Sequence, residues 1–452
     1  MLIGFRVENW KSFKNPISFS MVKTPERQHG ERIPRIGKDR MGILPVAAIY
    51  GGNASGKTNL FSALYFMKEF VVQQRGRNES TGAKPFLLSD ATRTGLTKFT
   101  ARVLAKDDVV YELSFSLDAK HVEDETLLRV DGGRDQVLYH RVAGNKNPRV
   151  SPLLGSNKKR LEGIFEGTQD NQLFLSDTVF RKCDAFQQVF DWFAHDLQLI
   201  APTATYRDFQ EYIANTKMAE ILGRLDTGVT DIGSSNVALS ELDLPKELVD
   251  ELPKELASHE GATATLEDES GLRYVVSNGS GGGLSVKELV THHQKDDNST
   301  MDFHMSQESD GTQRLMDLLP AFLSVANPAS RRIYVVDELD RSLHTLLTRS
   351  LLESYLGCCS ANSRAQFIFT THDALLMDQH LLRRDEIWVT ERRKDGSSAL
   401  FSFSEFKDAR KDNDIRKSYL QGRLGGVPRI FLDDVLGCSV FQGQGEPKDG
   451  EK

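Results

Sequence analysis

Apolar and polar positions in the N-terminal part of the chain follow the pattern of β-strands. Residues 2–10 are rich in β-forming side chains, and a second such run covers residues 17–21. An apolar run at residues 45–50 ends on two glycines, as a buried parallel strand does. Residues 99–105 and 109–117 each alternate apolar with polar side chains around a short charged turn. This alternation predicts an antiparallel hairpin.

Two longer stretches have the period of helices. One follows residues 45–50 and presents an apolar face made by Leu60, Phe61, Leu64, Met67 and Val71. The other lies within residues 177–223, where the apolar stripe consists of Phe186, Val189, Phe190, Phe193 and Leu197. Both stretches therefore predict helices that bury one face.

The middle of the chain has a different composition. Residues 228–283 are acidic, are interrupted by Pro245 and Pro253, and end in a glycine-rich run at residues 278–283. This predicts an inserted, partly flexible region. After Asp302 the α/β pattern resumes, with two short buried strands and a helix between them.

The composition limits the class of protein. The chain of 452 residues exceeds one compact domain, and 39% apolar with 27% charged residues is typical of a folded protein. The net charge of −7 argues against a protein that coats nucleic acid non-specifically. No apolar run is long enough to span a bilayer and no signal peptide is expected, so we expect a cytoplasmic location without a membrane partner. The cysteines are too irregularly spaced to predict disulfides or a zinc site; they are Cys183, Cys358, Cys359 and Cys438.

Residues 51–58 read Gly-Gly-Asn-Ala-Ser-Gly-Lys-Thr and fit the P-loop pattern between a strand and a helix. Glycines let backbone N–H groups turn inward around phosphate oxygens, beside the positive end of the helix. Lys57 is expected to reach the β- and γ-phosphates of ATP, and Thr58 to bind Mg²⁺. The alternative is a glycine-rich turn that matches by chance, which would not need the flanking strand and helix. Other expected nucleotide contacts are Gly51, Asn53, Ala54, Ser55, Gly56 and Asn59.

A second short apolar strand, at residues 333–336, ends in two carboxylates, Asp337 and Glu338. Taken alone, such a strand end is usually the start of a solvated loop. In a chain that has a P-loop, the same pattern predicts a Walker B motif. Asp337 is then expected to bind Mg²⁺, and Glu338 to orient and polarise the water that attacks the γ-phosphate.

Two further features indicate which type of P-loop ATPase this is. His372 directly follows the strand at residues 366–371, where ABC-type ATPases keep a histidine that contacts the γ-phosphate. Residues 309–313 precede an apolar-periodic helix and resemble the ABC signature motif, although alone they would be read as a helix N-cap. The expected contacts of the signature are Ser309, Gly311, Thr312 and Gln313, and Asp340 belongs to the expected D-loop.

The order P-loop, signature, Walker B, D-loop and histidine is that of ABC-type ATPases. It predicts an α/β fold: an ABC-type P-loop NTPase head with an antiparallel β-subdomain and a mainly helical insertion. We expect an N-terminal lobe at residues 1–175, the insertion at residues 176–295 and a C-terminal lobe at residues 296–452. In ABC-type ATPases the signature does not reach its own P-loop. The resemblance therefore implies that Ser309 and Gly311 complete the site of a second copy in an ATP-dependent head-to-tail dimer, with a higher homo-oligomer also expected.

Further segments resemble one family, the AAA15 (OLD-like) ABC ATPases. They are residues 3–13, 308–315, 337–344, 383–389 and 422–428. The similarity spans most of the chain and is least over residues 228–283. One departure is that the segment Pro85-Phe86-Leu87-Leu88 contains no glutamine where the Q-loop of such ATPases lies, so that ligand stays unassigned.

Members of the AAA15 family commonly serve bacterial anti-phage defence, as do the ATPase subunit of the PARIS system and the Rlo/abortive-infection ATPases. The resemblance implies a slow ATPase that senses a phage-encoded trigger and holds or releases a separate toxic effector, expected to be a Toprim-type nuclease. The chain after His372 leaves no room for a fused Toprim domain in this interpretation, and the acidic stretch at residues 411–414 is too short to count as one.

Other classes stay open to different degrees. A RecF-like DNA-repair ATPase is the serious alternative and predicts a basic DNA-facing surface, for which residues 158–160 and 392–394 are the candidates. Each of these runs is also typical of a solvated turn, so DNA binding stays undecided.

The sequence argues against three other classes of protein. The long insertion does not suit a transporter ATPase, and an SMC-like protein would need a long coiled coil for which the sequence has no sustained heptads. Glu338 argues against a scaffold that binds ATP without turnover.

Overall fold

The computed structural model describes most of the chain. The described residues are 1–37, 40–132, 135–145, 149–203, 216–239, 242, 252, 256, 263–268, 270–278, 284–406, 415–422 and 425–426. Among these residues, none of the helices combines the length and the apolar character that a membrane span requires.

The strands are β1 Leu2–Glu8, β2 Ile17–Ser20, β3 Arg35–Ile36, β4 Met41–Gly42, β5 Val46–Tyr50, β6 Thr97–Leu104, β7 Val110–Leu117, β8 Val122–Val130, β9 Gln136–Val142, β10 Arg149–Val150, β11 Leu197–Ile200, β12 Val229–Asn236, β13 Thr263–Glu267, β14 Arg273–Asn278, β15 Leu284–Gln294, β16 Thr300–His304, β17 Ile333–Val336, β18 Gln366–Thr370, β19 Ile387–Arg392 and β20 Ser398–Ser402. The α-helices are α1 Lys57–Val72, α2 Asp90–Arg93, α3 Lys158–Gly167, α4 Phe174–Phe180, α5 Gln187–Asp191, α6 Thr216–Arg224, α7 Asp310–Ala326, α8 Thr345–Cys358 and α9 Ile415–Leu420.

The ATPase motifs lie on a mainly parallel sheet in the order β11-β17-β18-β5-β19-β20. Its neighbours pair in parallel except for β19 and β20. Every residue of β5, β17 and β18 is buried, which is the pattern of strands covered on both faces. Because parallel strands end at the same edge, the loops after these three strands lie side by side, where open α/β sheets bind ligands.

A separate antiparallel sheet, in the order β10-β9-β8-β7-β6-β1-β2, covers one side of α1. The predicted hairpin is β6 and β7, in which Phe99 lies opposite Phe115. These rings stack on Phe66 and Phe70 of α1 with centroids 5.2 Å and 5.4 Å apart. The predicted α/β class with an antiparallel β-subdomain is therefore confirmed.

Among the described residues of the predicted insertion, residues 176–295, strand residues outnumber helical ones, and the prediction of a mainly helical insertion is corrected to that extent. Its first third contains short helices, but the later part forms an antiparallel sheet in the order β12-β15-β14-β13, with β16 also paired to β15. The physical reason is a local excess of β-forming side chains, such as the buried Tyr274, Val275 and Val276 of β14. We call β12 to β16 the inserted sheet.

β11 lies within residues 176–295 but is a strand of the central sheet, beside β17. Most of the glycine-rich run at residues 278–283, predicted to be flexible, lies outside the described residues. The boundaries proposed for the three regions of the chain remain predictions.

Candidate nucleotide site

The P-loop connects β5 to α1, and two glycines shape it. Gly51 has φ 149° and Gly56 has φ 118°, both in the region that favours glycine. A Cβ on Gly51 would lie 2.4 Å from Thr390 Oγ1, and a Cβ on Gly56 would lie 2.7 Å from Ser398 Oγ. Both positions therefore require glycine for space as well as for backbone conformation.

Lys57 is the first residue of α1, and its buried side chain folds back onto the loop. Its Nζ donates to the carbonyl of Gly51 at 2.7 Å and to that of Gly52 at 3.3 Å. Burial lowers the pKa of Lys57 to about 8, although carboxylates after β17 act in the opposite direction. A buried amine among carbonyl groups would be strongly stabilised by an anion, which agrees with the predicted contact to phosphate.

Asp337 ends β17 and is fully buried. Its Oδ1 accepts a hydrogen bond from Thr370 Oγ1 at 2.6 Å, while Oδ2 has no hydrogen-bond partner in the described part of the chain. A buried carboxylate oxygen is costly unless a donor or a cation faces it. The carboxylate therefore fits Mg²⁺, for which the hydroxyl of Thr58, exposed at the start of α1, is the other predicted ligand.

Glu338 follows with φ 52°, a left-handed conformation that is uncommon for a residue with a side chain. Its N–H donates to Thr370 Oγ1 at 2.8 Å, and its carbonyl accepts from Arg314 at 3.2 Å. These bonds fix the backbone, whereas the half-buried carboxylate has no hydrogen-bond or ion-pair partner among the residues described. A fixed backbone with a free carboxylate suits a general base.

His372 follows β18, which lies between β5 and β17, and its ring reaches the P-loop lysine. Its Nδ1 lies 3.4 Å from Lys57 Nζ, and its backbone N–H donates to the carboxylate of Asp340 at 3.2 Å. Partial burial and the charge of Lys57 lower the pKa of His372, so the ring is neutral at pH 7. A neutral ring that accepts at Nδ1 carries its proton on Nε2 and can donate it to a phosphate oxygen.

The predicted signature begins α7, and its hydrogen bonds are those of a helix cap. Ser309 Oγ accepts from the N–H of Thr312 at 3.1 Å, and the Ser309 carbonyl accepts from the N–H of Gln313 at 3.0 Å. Gly311 lies against the D-loop, where a Cβ would be 2.9 Å from the carbonyl oxygen of Ser342. The interpretation of Ser309 as a helix N-cap is therefore confirmed. Ser309 is exposed, so a contact with nucleotide would be an additional role.

The structure brings one group of predicted residues together and leaves another at the surface. The group at the edge of the central sheet consists of Lys57, Asp337, Glu338, Asp340 and His372. In the P-loop, Ser55 Oγ lies 2.6 Å from Thr390 Oγ1. In the first turn of α1, Asn59 Nδ2 donates to Ser12 Oγ at 2.7 Å. The exposed residues of the P-loop are Asn53, Ala54 and Thr58.

Several residues that shape the site were not predicted. Thr370 joins Asp337 to Glu338, and the carbonyl of Gly426 accepts from the N–H of Gly52 at 2.9 Å. Ser12, already noted beside Asn59, lies like Gly426 in a segment that carries the family resemblance. That resemblance was the available signal for both of them, whereas nothing local distinguished Thr370.

The segment in place of a Q-loop has an apolar tip. Phe86 is buried and its N–H donates to Asn9 Oδ1 at 3.0 Å, whereas Leu87 and Leu88 are exposed. None of the four side chains of Pro85-Phe86-Leu87-Leu88 can bind Mg²⁺. The residue that would serve as the Q-loop ligand therefore stays unassigned.

A family comparison covers the whole motif set. Residues 46–378 match the AAA_21 family, whose description reads "AAA domain, putative AbiEii toxin, Type IV TA system". The match includes the P-loop, the signature, the Walker B motif and His372, and it spans more than half of the 452 residues. None of the curated proteins matches the chain.

Solved structures with a related outline include an SMC head domain from Thermotoga maritima, at 15% identity and TM-score 0.31, covering 89% of this chain and 98% of that one. An SMC head bound to the C-terminal winged-helix domain of ScpA has 12% identity and TM-score 0.35, covering 89% of this chain and 97% of that one. The recombination mediator RecF with ATP has 12% identity and TM-score 0.36, covering 88% of this chain and 97% of that one. Likenesses at this level do not bear on function.

Proposed function

Because the chain belongs to the AAA_21 family of AAA domains, we propose that it is an ABC-type ATPase that works as a head-to-tail dimer. The observation that carries the proposal is the convergence of Lys57, Asp337 and Glu338 at one edge of a parallel sheet. The buried, unpartnered Oδ2 of Asp337 supports a cation at that edge. The match to the family alone would leave the residues of the site unassigned.

Nucleotide binding follows from the P-loop geometry. The backbone N–H groups after Gly51 and the positive end of α1 bind the phosphates, and Lys57 exchanges its carbonyl partners for phosphate oxygens. Thr58 and Asp337 hold Mg²⁺, which when bound supplies positive charge that stabilises the transferred phosphoryl group.

Two residues close to Lys57 in space, Glu338 and His372, supply the groups that hydrolysis needs. Glu338 accepts a proton from the attacking water, because its carboxylate is free while its backbone is fixed. His372 donates from Nε2 to the γ-phosphate, because its ring is neutral and accepts at Nδ1. Asp340 holds the backbone of His372 in place.

The second copy of the chain supplies the signature. Ser309 and Asp310 are exposed at the N-terminus of α7, the positive end of a helix of 17 residues. The exposed Asn53, Ala54 and His372 leave the γ-phosphate side of the P-loop open to such a contact. Two chains related by a two-fold axis would close two equivalent sites around two ATP molecules.

A mixing experiment tests the shared site. Chains with Lys57→Ala lack a working P-loop, and chains with Ser309→Arg lack a working signature, so each variant alone is expected to be inactive. An equimolar mixture forms mixed dimers with one intact site each, and we expect roughly a quarter of wild-type turnover from random pairing. ATP hydrolysis that stays at the level of the separate variants would contradict the shared site.

The biological role we propose is a sensor ATPase in bacterial anti-phage defence. The description of the family includes a toxin–antitoxin system, which supports this role beside the resemblance to the AAA15 family. In this proposal the ATP-bound assembly holds a separate toxic effector, a Toprim-type nuclease, and releases it when a phage-encoded trigger is present.

The RecF-like alternative needs a basic surface that is free to meet DNA. In the run at residues 158–160, Lys158 Nζ lies 3.8 Å from Glu162, and Arg160 donates to the backbone carbonyls of Arg181 and Lys182 at 3.0 Å. These local bonds favour the interpretation of the run as a solvated helix end.

A pull-down from cells that carry the native gene neighbourhood separates the two roles. Tagged Glu338→Gln protein is captured with ATP, and the retained proteins are identified by mass spectrometry. A stoichiometric neighbour with nuclease or toxin features would support the sensor role. Recovery of DNA with recombination proteins would favour the RecF-like alternative instead.

A further inference from the structure

The inserted sheet contacts the start of α7 through one buried acid. Glu308 directly precedes Ser309 and is buried. Its Oε1 accepts a short hydrogen bond from Thr291 Oγ1 and lies 2.7 Å from His293 Nε2. Both partners belong to β15, so the residue before the helix cap is bonded to the inserted sheet.

The backbone of Glu308 is fixed as well. Its N–H donates to the carbonyl of Met305 at 3.2 Å, and its carbonyl accepts from Gln313 Nε2 at 3.1 Å. Gln313 is itself a residue of the predicted signature. The side chain of Glu308 therefore joins the inserted sheet to a residue that is locked onto the first turn of α7.

A second buried ion pair joins the same two elements further along the helix. Arg273 of β14 binds Asp317 of α7 with both terminal guanidinium nitrogens, at 2.9 Å and 3.3 Å, and both side chains are buried. Bidentate pairs of this kind fix orientation as well as distance. Two attachments along one helix restrict both its translation and its rotation against the inserted sheet.

We propose that Glu308 is a positioning residue through which the inserted sheet sets the orientation of the signature at the start of α7. This inference rests on the proposed function, in which that signature completes the ATP site of a second copy. A partner that shifts β15 would move Ser309 and thereby change turnover without touching nucleotide. The inserted sheet is thus the regulatory input of the ATPase.

The neighbouring histidine provides a matched control. His292 precedes His293 on β15, so the two side chains point to opposite faces of the strand. His292 Nδ1 lies 2.7 Å from Asp302, whose side chain is 64% exposed, whereas Glu308 is only 5% exposed beside His293. The pair of His292 and Asp302 has the same chemistry on the same strand but does not involve Glu308.

The experiment uses the mixed dimers of the full-length chain. Glu308→Leu is placed either in the Lys57→Ala chain, which donates the working signature, or in the Ser309→Arg chain, which does not. We expect the loss of turnover to be about tenfold greater in the first placement, because a buried acceptor bonded to two donors is removed there. Equal losses in the two placements would overturn the proposal.

Conservative variants separate positioning from folding. Glu308→Gln keeps an acceptor for Thr291 and His293, so we expect it to restore most of the turnover that Glu308→Leu loses. In the otherwise wild-type chain, Glu308→Leu should lower kcat while the Kd for ATP stays unchanged, since the P-loop is untouched. His292→Gln should leave both quantities unchanged. A Kd that rises with the fall in kcat would mean that Glu308 acts on the fold as a whole.

Amide hydrogen exchange gives a measurement that does not depend on the dimer. The N–H groups of Thr312 and Gln313 are bonded to Ser309, and we expect them to exchange roughly tenfold faster in Glu308→Leu than in the wild type. Unchanged exchange would overturn the positioning role even if the mixed dimers behave as proposed. If mixing restores no activity while exchange accelerates, the shared site fails and the positioning role stands.

Discussion

The two halves of the proposed ATP site differ in how far one chain satisfies them. At the edge of the central sheet, Lys57 and Asp337 are buried. Lys57 donates to Gly51, which directly follows β5, and Asp337 accepts from Thr370 of β18. At the start of α7, Ser309 and Asp310 are exposed, and the bonds of Ser309 run within its own helix. One half is therefore assembled inside the chain and the other is presented outward, as a site shared between two copies would require.

The glycines of the two halves have different structural roles. Gly51 and Gly56 allow the P-loop to take a backbone conformation that other residues rarely adopt. Gly311 lies in a helix and instead allows the backbone of the D-loop to approach α7. The P-loop half therefore depends on local conformation, whereas the signature half depends on a contact between two elements.

The largest expected effect comes from Glu338→Gln, because it removes the base and keeps the geometry. We expect turnover to fall about a thousandfold, as for the loss of a general base, while ATP still binds. Size-exclusion chromatography with ATP should then show a longer-lived dimer or a larger assembly. The measurement is steady-state phosphate release beside the Kd for ATP.

Two results would contradict the assignment of Glu338 as the general base. Turnover equal to that of the wild type would mean that Glu338 is not the base. A loss of ATP affinity as large as the loss of turnover would mean that its carboxylate belongs to the binding half instead.

The next effect concerns the half that is assembled within the chain. Lys57→Met removes the buried amine and keeps a flexible apolar chain of similar length. We expect the Kd for ATP to rise about a hundredfold, since charge-assisted bonds to phosphate are lost. Isothermal titration measures this directly, and an unchanged Kd would contradict the P-loop assignment.

A substitution in the signature half should lower turnover without changing the Kd for ATP. In Gly311→Ala the new Cβ would lie 2.9 Å from the carbonyl oxygen of Ser342, so α7 and the D-loop must move apart. We expect turnover to fall roughly tenfold while the Kd for ATP of the single chain is unchanged, because the clash displaces the signature and leaves the P-loop untouched.

A matched glycine in α8 controls for helix propensity. A Cβ on Gly357 would meet nothing within 4 Å, so Gly357→Ala should leave turnover unchanged and stabilise the helix slightly. If both variants lose turnover equally, the contact between Gly311 and Ser342 is not the cause.

Prediction from the sequence succeeded where the signal is local. β5, β17 and β18 are short, fully buried and mostly apolar, and the P-loop and the Walker B acids directly follow two of them. Each of these features is fixed by a few neighbouring residues. Their spacing and order were therefore enough to predict these three strands and which residues directly follow them.

Prediction failed where the signal is spread along the chain. The inserted sheet depends on pairs such as Thr230 with His292, which are 62 residues apart, so a window of the sequence cannot show it. Thr390 and Ser398 constrain the P-loop glycines from far downstream for the same reason. Long-range pairing is the part of the fold that local periodicity does not contain.

The smallest expected effect is a pH dependence that belongs to the P-loop half alone. Burial lowers the pKa of Lys57 to about 8, so the amine is mostly charged at pH 7 and loses its proton as the pH rises through 8. ATP binds the charged form, so its affinity should fall as the pH rises, by about fourfold between pH 7 and pH 8.5. His372 does not contribute, since its lowered pKa keeps the ring neutral over this range.

Titration of the Kd for ATP across this range in wild-type protein and in Lys57→Met isolates the lysine. With Mg²⁺ bound, the terminal phosphate of the nucleotide is ionised across this range. The wild-type affinity should therefore fall while the weaker affinity of Lys57→Met stays flat. A fall of the same size in Lys57→Met would assign the titration to another group, and the buried lysine would no longer distinguish the half assembled within the chain from the half presented to a partner.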